Sequence, residues 1–256
     1  MSRYSGIAGR RVLITGATSG LGFAMASALA SEGARVFVTG RDPAKVAGVV
    51  SELRSLAGEC AGATMDVRDE QSIRAGLAEM LAMWDGIDVL INNAGIGMRT
   101  VSPKFLTQPK LFWEISAQGF RDLIDTNLTG YFLVSREVVP HFLKAGRGRI
   151  INISMNHETM RRRGFVPYGP SRAATESLSR IMAQDLQGTR VTVNLLLPGG
   201  ATSTGMIPDE VPDSMRPQIL SPDVMAEPVL FLCSDEALEV NDQRIIAKEF
   251  THSERI

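Results

Sequence analysis

Tyr168 and Arg172 stand four positions apart in the stretch YGPSRAA, at the start of an apolar-periodic run. If a helix begins near Pro167, the two side chains share one face of it. Pro170 fits this location, because the first turn of a helix does not need the backbone N–H that proline lacks. A free phenol titrates at about pH 10 and needs a nearby cation to transfer protons at neutral pH. The spacing therefore predicts a proton donor with a cation to tune it.

Three glycines follow the short β-branched run 11–15. Gly16 permits a tight turn, Gly20 lets backbone N–H groups approach a pyrophosphate, and Gly22 lets the next helix pack closely on the strand. The helix N-terminus then points at the anion. The pattern predicts a dinucleotide-binding loop made of Thr15, Gly16, Thr18, Ser19, Gly20, Leu21 and Gly22.

Strand and helix patterns alternate along the chain that must position these residues. The predicted strands are 11–15, 35–40, 63–67, 87–95, 149–154, 191–197 and 243–247, and the longest predicted helices are 43–56, 117–144 and 168–187. Repeated βα units require a parallel sheet with right-handed crossovers and helices on both faces. We therefore predict an α/β protein with one doubly wound domain over residues 1–256 and a seven-stranded parallel sheet.

The ligand of such a sheet lies at the carboxyl ends of its strands. In this chain those ends are just after Thr15, Thr39, Asp66, Asn92, Ser154 and Leu197. The apolar period of the helix after Tyr168 predicts a core-facing stripe of Ala174, Leu178, Ile181, Met182 and Leu186.

The composition of the chain argues against several classes of function. The 256 residues are 44% hydrophobic with a formal net charge of −1, which favours a folded core and gives no attraction to nucleic acid or anionic membrane. The start of the chain lacks a signal-peptide core, and no apolar run is long enough for a membrane span. Cys60 and Cys233 are too far apart in sequence to suggest a disulfide framework or a metal site. We expect a cytoplasmic protein with two buried thiols and no bound metal.

Five motifs follow one another in a recognisable order. They are TGATSGLG, NNAG at 92–95, Asn127 in DTNLTG, Tyr168 with a basic residue at 172, and Pro198-Gly199. Together they resemble the short-chain dehydrogenase/reductase family, which has a single-domain Rossmann fold, over about residues 8 to 250. The resemblance implies a nicotinamide cofactor. Its implied contacts are Asp66 and Val67 at the adenine, Asn93, Ala94 and Gly95 along the cofactor, and Pro198 to Thr204, with Gly199 and Thr202, at the nicotinamide amide.

The same resemblance assigns catalytic roles. Tyr168 would protonate a carbonyl oxygen as hydride arrives, and Asn127 would hold a water of a proton relay. Arg172 stands where the family has a lysine that binds the nicotinamide ribose. An arginine supplies the cation and the donors but does not release a proton. Gly169 is predicted to make room for its larger head.

The family's serine, which polarises the carbonyl oxygen, lies thirteen residues before the tyrosine. That position is Met155, and Ser154 precedes it by one residue. Either a one-residue loop change brings Ser154 into the serine's place, or Met155 occupies it and the donor is Asn156, His157 or absent. Two functions stay open on this basis. The first is an oxidoreductase acting on a ketone or secondary alcohol, and the second is a cofactor-binding sensor or partner subunit with weak or lost catalysis.

The residues after strand two predict which cofactor is used. A carboxylate there would accept the ribose 2′-OH of NAD(H), but the chain has Gly40 followed by Arg41. A guanidinium suits a 2′-phosphate, unless Arg41 is a solvated side chain paired with Asp42. We predict NADP(H) over NAD(H).

The substrate cleft is predicted to be walled by three segments, 96–116, 155–167 and the mobile lid 201–220. The first carries Met98, Phe105, Phe112 and Trp113, and the second carries the charge run Arg161 to Arg163. A small carbonyl or alcohol substrate is expected. The helices 117–144 and 168–187 resemble the family's interface helices, so we expect a homodimer or homotetramer.

Overall fold

The fold is described from a computed structural model, which covers residues 3–208 and 210–251. Its seven-stranded sheet has the order β3-β2-β1-β4-β5-β6-β7, and every neighbouring pair of strands is parallel. The strands are β1 (Arg11–Ile14), β2 (Arg35–Gly40), β3 (Cys60–Thr64), β4 (Val89–Asn92), β5 (Gly148–Ile153), β6 (Val191–Leu197) and β7 (Arg244–Ile246). The predicted doubly wound α/β domain is confirmed.

Helices cover both faces of the sheet. They are α1 (Gly20–Ser31), α2 (Pro43–Leu53), α3 (Glu70–Trp84), α4 (Ala117–Ile124), α5 (Gly130–Ala145), α6 (His157–Met160), α7 (Tyr168–Asp185) and α8 (Ala226–Cys233). Apolar residues of α1, α2 and α8 form the core on one face, and those of α3, α5 and α7 form the core on the other. The strand order reverses between β1 and β4, which is where such sheets open a ligand crevice.

The third strand lies earlier than the predicted 63–67. Residues 66 and 67 leave the sheet, because the Asp66 carboxylate accepts the backbone N–H of Arg68 and the Asp66 N–H bonds to Ser72 Oγ. Small residues of β3 allow the close pairing instead, since a Cβ on Gly62 would lie 2.5 Å from the Val38 carbonyl oxygen. The local side-chain bonds of an Asx turn thus outweigh the apolar pattern.

The predicted helix 117–144 forms, but it is interrupted by a π-helical segment, Asp125–Thr129, between α4 and α5. Such a segment widens the backbone spiral by one residue per turn and is frequent at functional sites. It contains Asn127.

The predicted core stripe of α7 is wrong except at Leu186, which is buried, and at Met182, which is partly buried and packs against the core. The buried face carries Ser171, Thr175, Ser179 and Ala183, whereas Ile181 is 54% exposed. Small residues let α7 approach the sheet, and Ser179 Oγ accepts a 2.8 Å hydrogen bond from Asn152 on β5. Polar pairing replaces the apolar contacts that the period of the sequence indicates.

Within the described ranges, no helix combines the length and the apolar character that crossing a membrane requires. Cys60 and Cys233 are both buried and unpaired, as predicted. Burial raises the pKa of the Cys233 thiol to about 12.

Candidate active site

A cleft of about 1110 Å³ opens at the carboxyl ends of the strands. It gathers nearly all the predicted site residues, namely Gly16, Thr18, Ser19, Gly20, Leu21, Gly22, Arg41, Asp66, Val67, Asn93, Ala94, Gly95, Ser154, Tyr168, Arg172, Pro198, Gly199 and Thr202. Asn127 lies behind this lining, although its neighbour Thr126 is part of it. The cleft therefore contains residues that directly follow the predicted strand ends, including Gly40 and Arg41 just after Thr39.

The glycine loop between β1 and α1 forms a cradle that side chains would fill. Gly16 has a φ of +63°, and a Cβ there would lie 2.6 Å from Ala94 Cα. A Cβ on Gly22 would collide with Asn93 Nδ2, which donates 2.9 Å hydrogen bonds to the carbonyls of Thr15 and Gly16. Ser19 begins α1 without a side-chain capping bond. The first-turn N–H groups of α1 are thus left for an anion, which fits a bound pyrophosphate.

Next to this cradle, β2 ends at Gly40, and Arg41 follows it. A Cβ on Gly40 would lie 2.6 Å from Thr18 Cγ2, so a side chain at this position requires the Thr18 side chain to shift. Asp42 caps α2 by accepting the N–H groups of Ala44 and Lys45. Exposed Arg41 has no ion-pair partner within the part of the chain described here. The pairing of Arg41 with Asp42 that was considered from the sequence does not form.

Asp66 lies just after β3, the strand that pairs with β2. Its carboxylate makes an ion pair with Arg68, with a closest distance of 2.7 Å. Hydrogen bonds from Arg68 hold the pKa of this carboxyl below its usual value, against the effect of burial. Asp66 is therefore charged, and it lines the cleft beside Val67.

Tyr168 is the first residue of α7 and lies half-buried in an apolar wall. Met98, Phe105 and Phe165 form the buried centre of that wall, against which Met155 and Tyr168 pack. The Tyr168 hydroxyl donates a long hydrogen bond to Met206 Sδ, 3.9 Å away. Its phenol thus faces the cleft in weakly polar surroundings.

Arg172 is buried one turn further along α7, with 2% of its surface exposed. Its Nη1 donates to Tyr131 Oη at 2.9 Å and to the Ile153 carbonyl at 3.0 Å. The guanidinium carbon lies 5.4 Å from the Tyr131 ring centre and 5.5 Å from that of Tyr168. Burial by itself lowers the pKa of this guanidinium, but the two phenols raise it above the usual value, so the group stays charged.

Room for this arginine comes from Gly95 and not from Gly169. A Cβ on Gly95 would lie 2.5 Å from Arg172 Nη2, whereas a Cβ on Gly169 would collide with the Met160 carbonyl oxygen. The prediction about Gly169 is wrong, because that residue faces α6 and its role is to let the start of α7 pack against it.

Ser154 does not point its hydroxyl toward Tyr168. Its Oγ donates a 2.6 Å hydrogen bond to Glu176, which also binds His157 at 2.8 Å and Arg244 at 2.9 Å. Burial alone would raise the pKa of the Glu176 carboxyl, but the hydrogen bonds from these three partners hold it below its usual value. Because Met155 packs beside Tyr168, the geometry favours the alignment with Met155 in the serine's place. Ser154 itself lines the cleft, and its role as a catalytic donor stays a prediction.

Asn127 ties the loop after β4 to α7. Its side chain exchanges two 2.9 Å hydrogen bonds with the backbone of Ile96, and its Nδ2 lies 3.2 Å from Ser171 Oγ. Its own backbone carbonyl accepts a hydrogen bond from Thr175 Oγ1 at 2.9 Å. In this arrangement Asn127 positions the residues around Arg172.

All three predicted wall segments contribute to the cleft, but not all their side chains do. Phe112 and Trp113 stack edge to face outside it and are 68% and 67% exposed. Of the three consecutive arginines, only Arg162 lines the cleft, with its guanidinium 5.3 Å from the Phe165 ring centre.

Sequence reasoning missed Tyr131 and Met206. Tyr131 follows Asn127 by four residues and so shares its helix face, a signal that was present in the sequence. Met206 lies in an irregular segment, where no periodicity indicates which side chains point inward.

The chain is similar to known proteins over most of its length. The short chain dehydrogenase family profile matches residues 10–214. The chain is 33% identical over 245 residues to the 3-oxoacyl-[acyl-carrier-protein] reductase FabG of Aquifex aeolicus (strain VF5), covering 93% of this chain and 95% of that protein.

Two crystal structures agree with this match. A variant of actinorhodin polyketide ketoreductase with NADPH has a TM-score of 0.82 at 28% identity, covering 94% of this chain and 97% of that one. The 3-ketoacyl-(acyl-carrier-protein) reductase of Brucella melitensis, complexed with NADH, has a TM-score of 0.81 at 27% identity, with the same coverage of 94% and 97%. The chain therefore belongs to the short-chain dehydrogenase/reductase family of nicotinamide-dependent oxidoreductases.

Proposed function

We propose that this protein is an NADP(H)-dependent oxidoreductase that transfers hydride between the nicotinamide and a ketone or secondary alcohol. The observation that carries the proposal is the placement of the Tyr168 phenol, which faces the cleft with the charged Arg172 guanidinium 5.5 Å from its ring centre. The glycine cradle opens into the same cleft.

In the reducing direction Tyr168 donates its proton to the carbonyl oxygen, and in the oxidising direction it takes the proton back. The bound nicotinamide supplies or accepts the hydride. Arg172 stabilises the negative charge that develops on the phenol oxygen. The wall of Met98, Phe105 and Phe165 keeps water from the reacting atoms. Asn127 fixes the loop that borders this site.

The cofactor is held by residues assigned above. Gly16 to Gly22 bind the pyrophosphate, Asp66 and Val67 the adenine, Asn93 to Gly95 the middle of the cofactor, and Pro198 to Thr204 the nicotinamide. Segment 201–220 acts as the lid. Residue 209 of this segment lies outside the described residues.

The preference for NADP(H) depends on Arg41. The similar structures with NADPH and with NADH do not distinguish the two cofactors. Arg41 lines the cleft, Asp42 is engaged as the cap of α2, and Gly40 carries no carboxylate. This arrangement attracts a 2′-phosphate and lacks the acid that would prefer a 2′-hydroxyl.

The proposal is tested by steady-state turnover of NADPH and NADH against a panel of ketones, and of NADP⁺ and NAD⁺ against the corresponding alcohols. We expect turnover with NADPH on at least one apolar ketone. Tight NADPH binding without turnover on any member of the panel would contradict it and would indicate a cofactor-binding protein that has lost its chemistry.

A further inference from the structure

The positive charge of Arg172 is buried, and the groups that bond to it are uncharged. Among the residues that the structure describes, its bonded partners are neutral: the Tyr131 hydroxyl and the Ile153 carbonyl. Its Nε is buried without a hydrogen-bond partner in the same described part of the chain. An unpaired buried charge is costly, so each of these contacts matters for where the guanidinium rests.

Tyr131 contributes twice to holding this cation. Its hydroxyl accepts from Nη1 at 2.9 Å, and its ring lies 5.4 Å from the guanidinium carbon, within the range of a cation–π contact. The Tyr168 ring lies at 5.5 Å from the same carbon. The guanidinium is therefore shared by one fully buried phenol and one phenol that reaches the cleft.

The two phenols differ in what they can do. Burial raises the pKa of the Tyr131 phenol, and the Arg172 charge offsets this only in part, so Tyr131 remains neutral. Tyr131 is 1% exposed and does not line the cleft. It does not reach a substrate, and any effect it has on chemistry acts through Arg172.

Nη1 is occupied by Tyr131 and Ile153, and this sets the direction of the other terminal nitrogen. Nη2 lies next to Gly95, which borders the cleft. Rotation of the guanidinium about its long side chain would lose the Nη1 contacts and move Nη2 away from that border. The position of Tyr131 four residues after Asn127 places this anchor on the helix face that meets α7.

We propose that Tyr131 is a positioning residue, which anchors the Arg172 guanidinium so that one terminal nitrogen and the positive charge face the cofactor and Tyr168. The inference rests on the proposed function for its effect on turnover. Its effect on cofactor binding does not require turnover.

The chain offers a matched control, because it contains three tyrosines and two of them are buried outside the cleft. Tyr131→Phe removes one hydroxyl and keeps the ring. Tyr4→Phe makes the same chemical change at a residue that is 4% exposed and bonds to Glu227 at 2.8 Å, far along the chain from the cleft loops. Thermal unfolding of both apo variants first establishes that they fold.

We expect Tyr131→Phe to lower kcat about tenfold or more, the scale of one lost hydrogen bond to a charged group, with the substrate KM within about twofold. The Kd for NADPH, measured by fluorescence titration, should rise about threefold to tenfold. Tyr4→Phe should change neither quantity by more than about twofold, because an equal loss of a buried hydroxyl there leaves Arg172 in place.

A double-mutant cycle separates positioning from a general structural role. In the Arg172→Met background there is no guanidinium to anchor, so Tyr131→Phe should change the NADPH Kd by less than about twofold. If Tyr131→Phe resembles Tyr4→Phe in both kcat and Kd, or if its effect on Kd is the same in the Arg172→Met background, the inference is wrong. Absence of turnover in the unmodified protein would contradict the proposed function, and the Kd cycle would still decide the role of Tyr131.

Discussion

At the scale of single residues, the chemistry depends on one phenol, one cation and one exposed arginine. Tyr168, Arg172 and Arg41 lie in one cleft although they come from two distant parts of the chain. Each of these three side chains can be replaced without removing a large apolar contact. Three predictions belong to this scale.

Tyr168→Phe removes the proton that the phenol transfers and keeps the ring in its apolar wall. We expect turnover to fall about 100-fold or more, the usual scale for losing a general acid, while the Kd for NADPH hardly changes. Steady-state kinetics and fluorescence titration measure the two effects. An equal loss of binding and turnover would make Tyr168 a structural residue.

Arg172→Lys keeps a positive charge next to Tyr168 on a smaller head group. The variant should fold, bind NADPH and keep kcat within about tenfold of the unmodified protein, a change of roughly 1.4 kcal/mol in the barrier. The comparison variant is Arg172→Met, which lacks the charge and should lose turnover. The prediction fails if the natural chain is inactive on every carbonyl and Arg172→Lys combined with Met155→Ser gains activity.

Arg41→Asp replaces the guanidinium with a carboxylate that repels a 2′-phosphate. The ratio of kcat/KM for NADPH to that for NADH should fall about tenfold or more, as expected for the loss of a charge-assisted contact. Arg163→Asp, which makes the same charge change outside the cleft, serves as the control. An unchanged ratio in Arg41→Asp would show that Arg41 is a solvated side chain with no part in cofactor choice.

At the scale of elements, short local hydrogen bonds decide where helices and strands end near the site. The Asp42 cap starts α2 immediately after Arg41, and the Asp66 turn ends the third strand immediately before the cleft. The π-helical segment between α4 and α5 carries Asn127, which bonds to the loop after β4. These bonds fix the position of backbone segments that the apolar pattern of the sequence does not predict.

Asp42→Ala tests whether this carboxylate caps α2 or pairs with Arg41. Loss of a cap should lower the free energy of unfolding by about 1 kcal/mol, with the NADPH/NADH preference unchanged. Asp69→Ala removes the corresponding cap of α3, where the side chain accepts the Gln71 N–H at 2.9 Å, and should cost a similar amount. A higher affinity of Asp42→Ala for NADPH in a binding titration would show that Asp42 competes for Arg41.

At the scale of the whole molecule, α4, α5 and α7 leave apolar side chains on their outer faces. Phe120, Phe132 and Ile181 are 42%, 42% and 54% exposed. Exposed apolar residues on neighbouring helices are typical of a surface that is covered in an oligomer. The expected assembly is a homodimer or homotetramer.

Light scattering at micromolar concentration should therefore give a mass of two or four chains. Ile181→Glu should shift the population toward the monomer, because a charge would be buried at the contact. Leu238→Glu, at a residue that is 44% exposed elsewhere on the molecule, should not change the mass. A monomeric natural chain would contradict the expectation.

The sequence by itself determined the fold class, the order of its strands and helices and many of the residues that line the cleft. Strand–helix alternation implies a parallel sheet, and a parallel sheet brings its carboxyl strand ends to one edge. Gly16, Gly20 and Gly22 follow the end of β1, and Tyr168 begins α7. Such inferences succeed because they depend on short-range geometry and on a topology with few alternatives.

Only the tertiary structure decided where individual polar groups point. The Ser154 hydroxyl turns to Glu176, which follows it by 22 residues, and Arg172 is anchored by Tyr131, which precedes it by 41. Gly95 makes room for Arg172, although Gly169 is nearer in sequence. Which distant residue becomes the hydrogen-bond partner depends on differences of a few tenths of an ångström in atomic distances. A local sequence pattern does not contain that information.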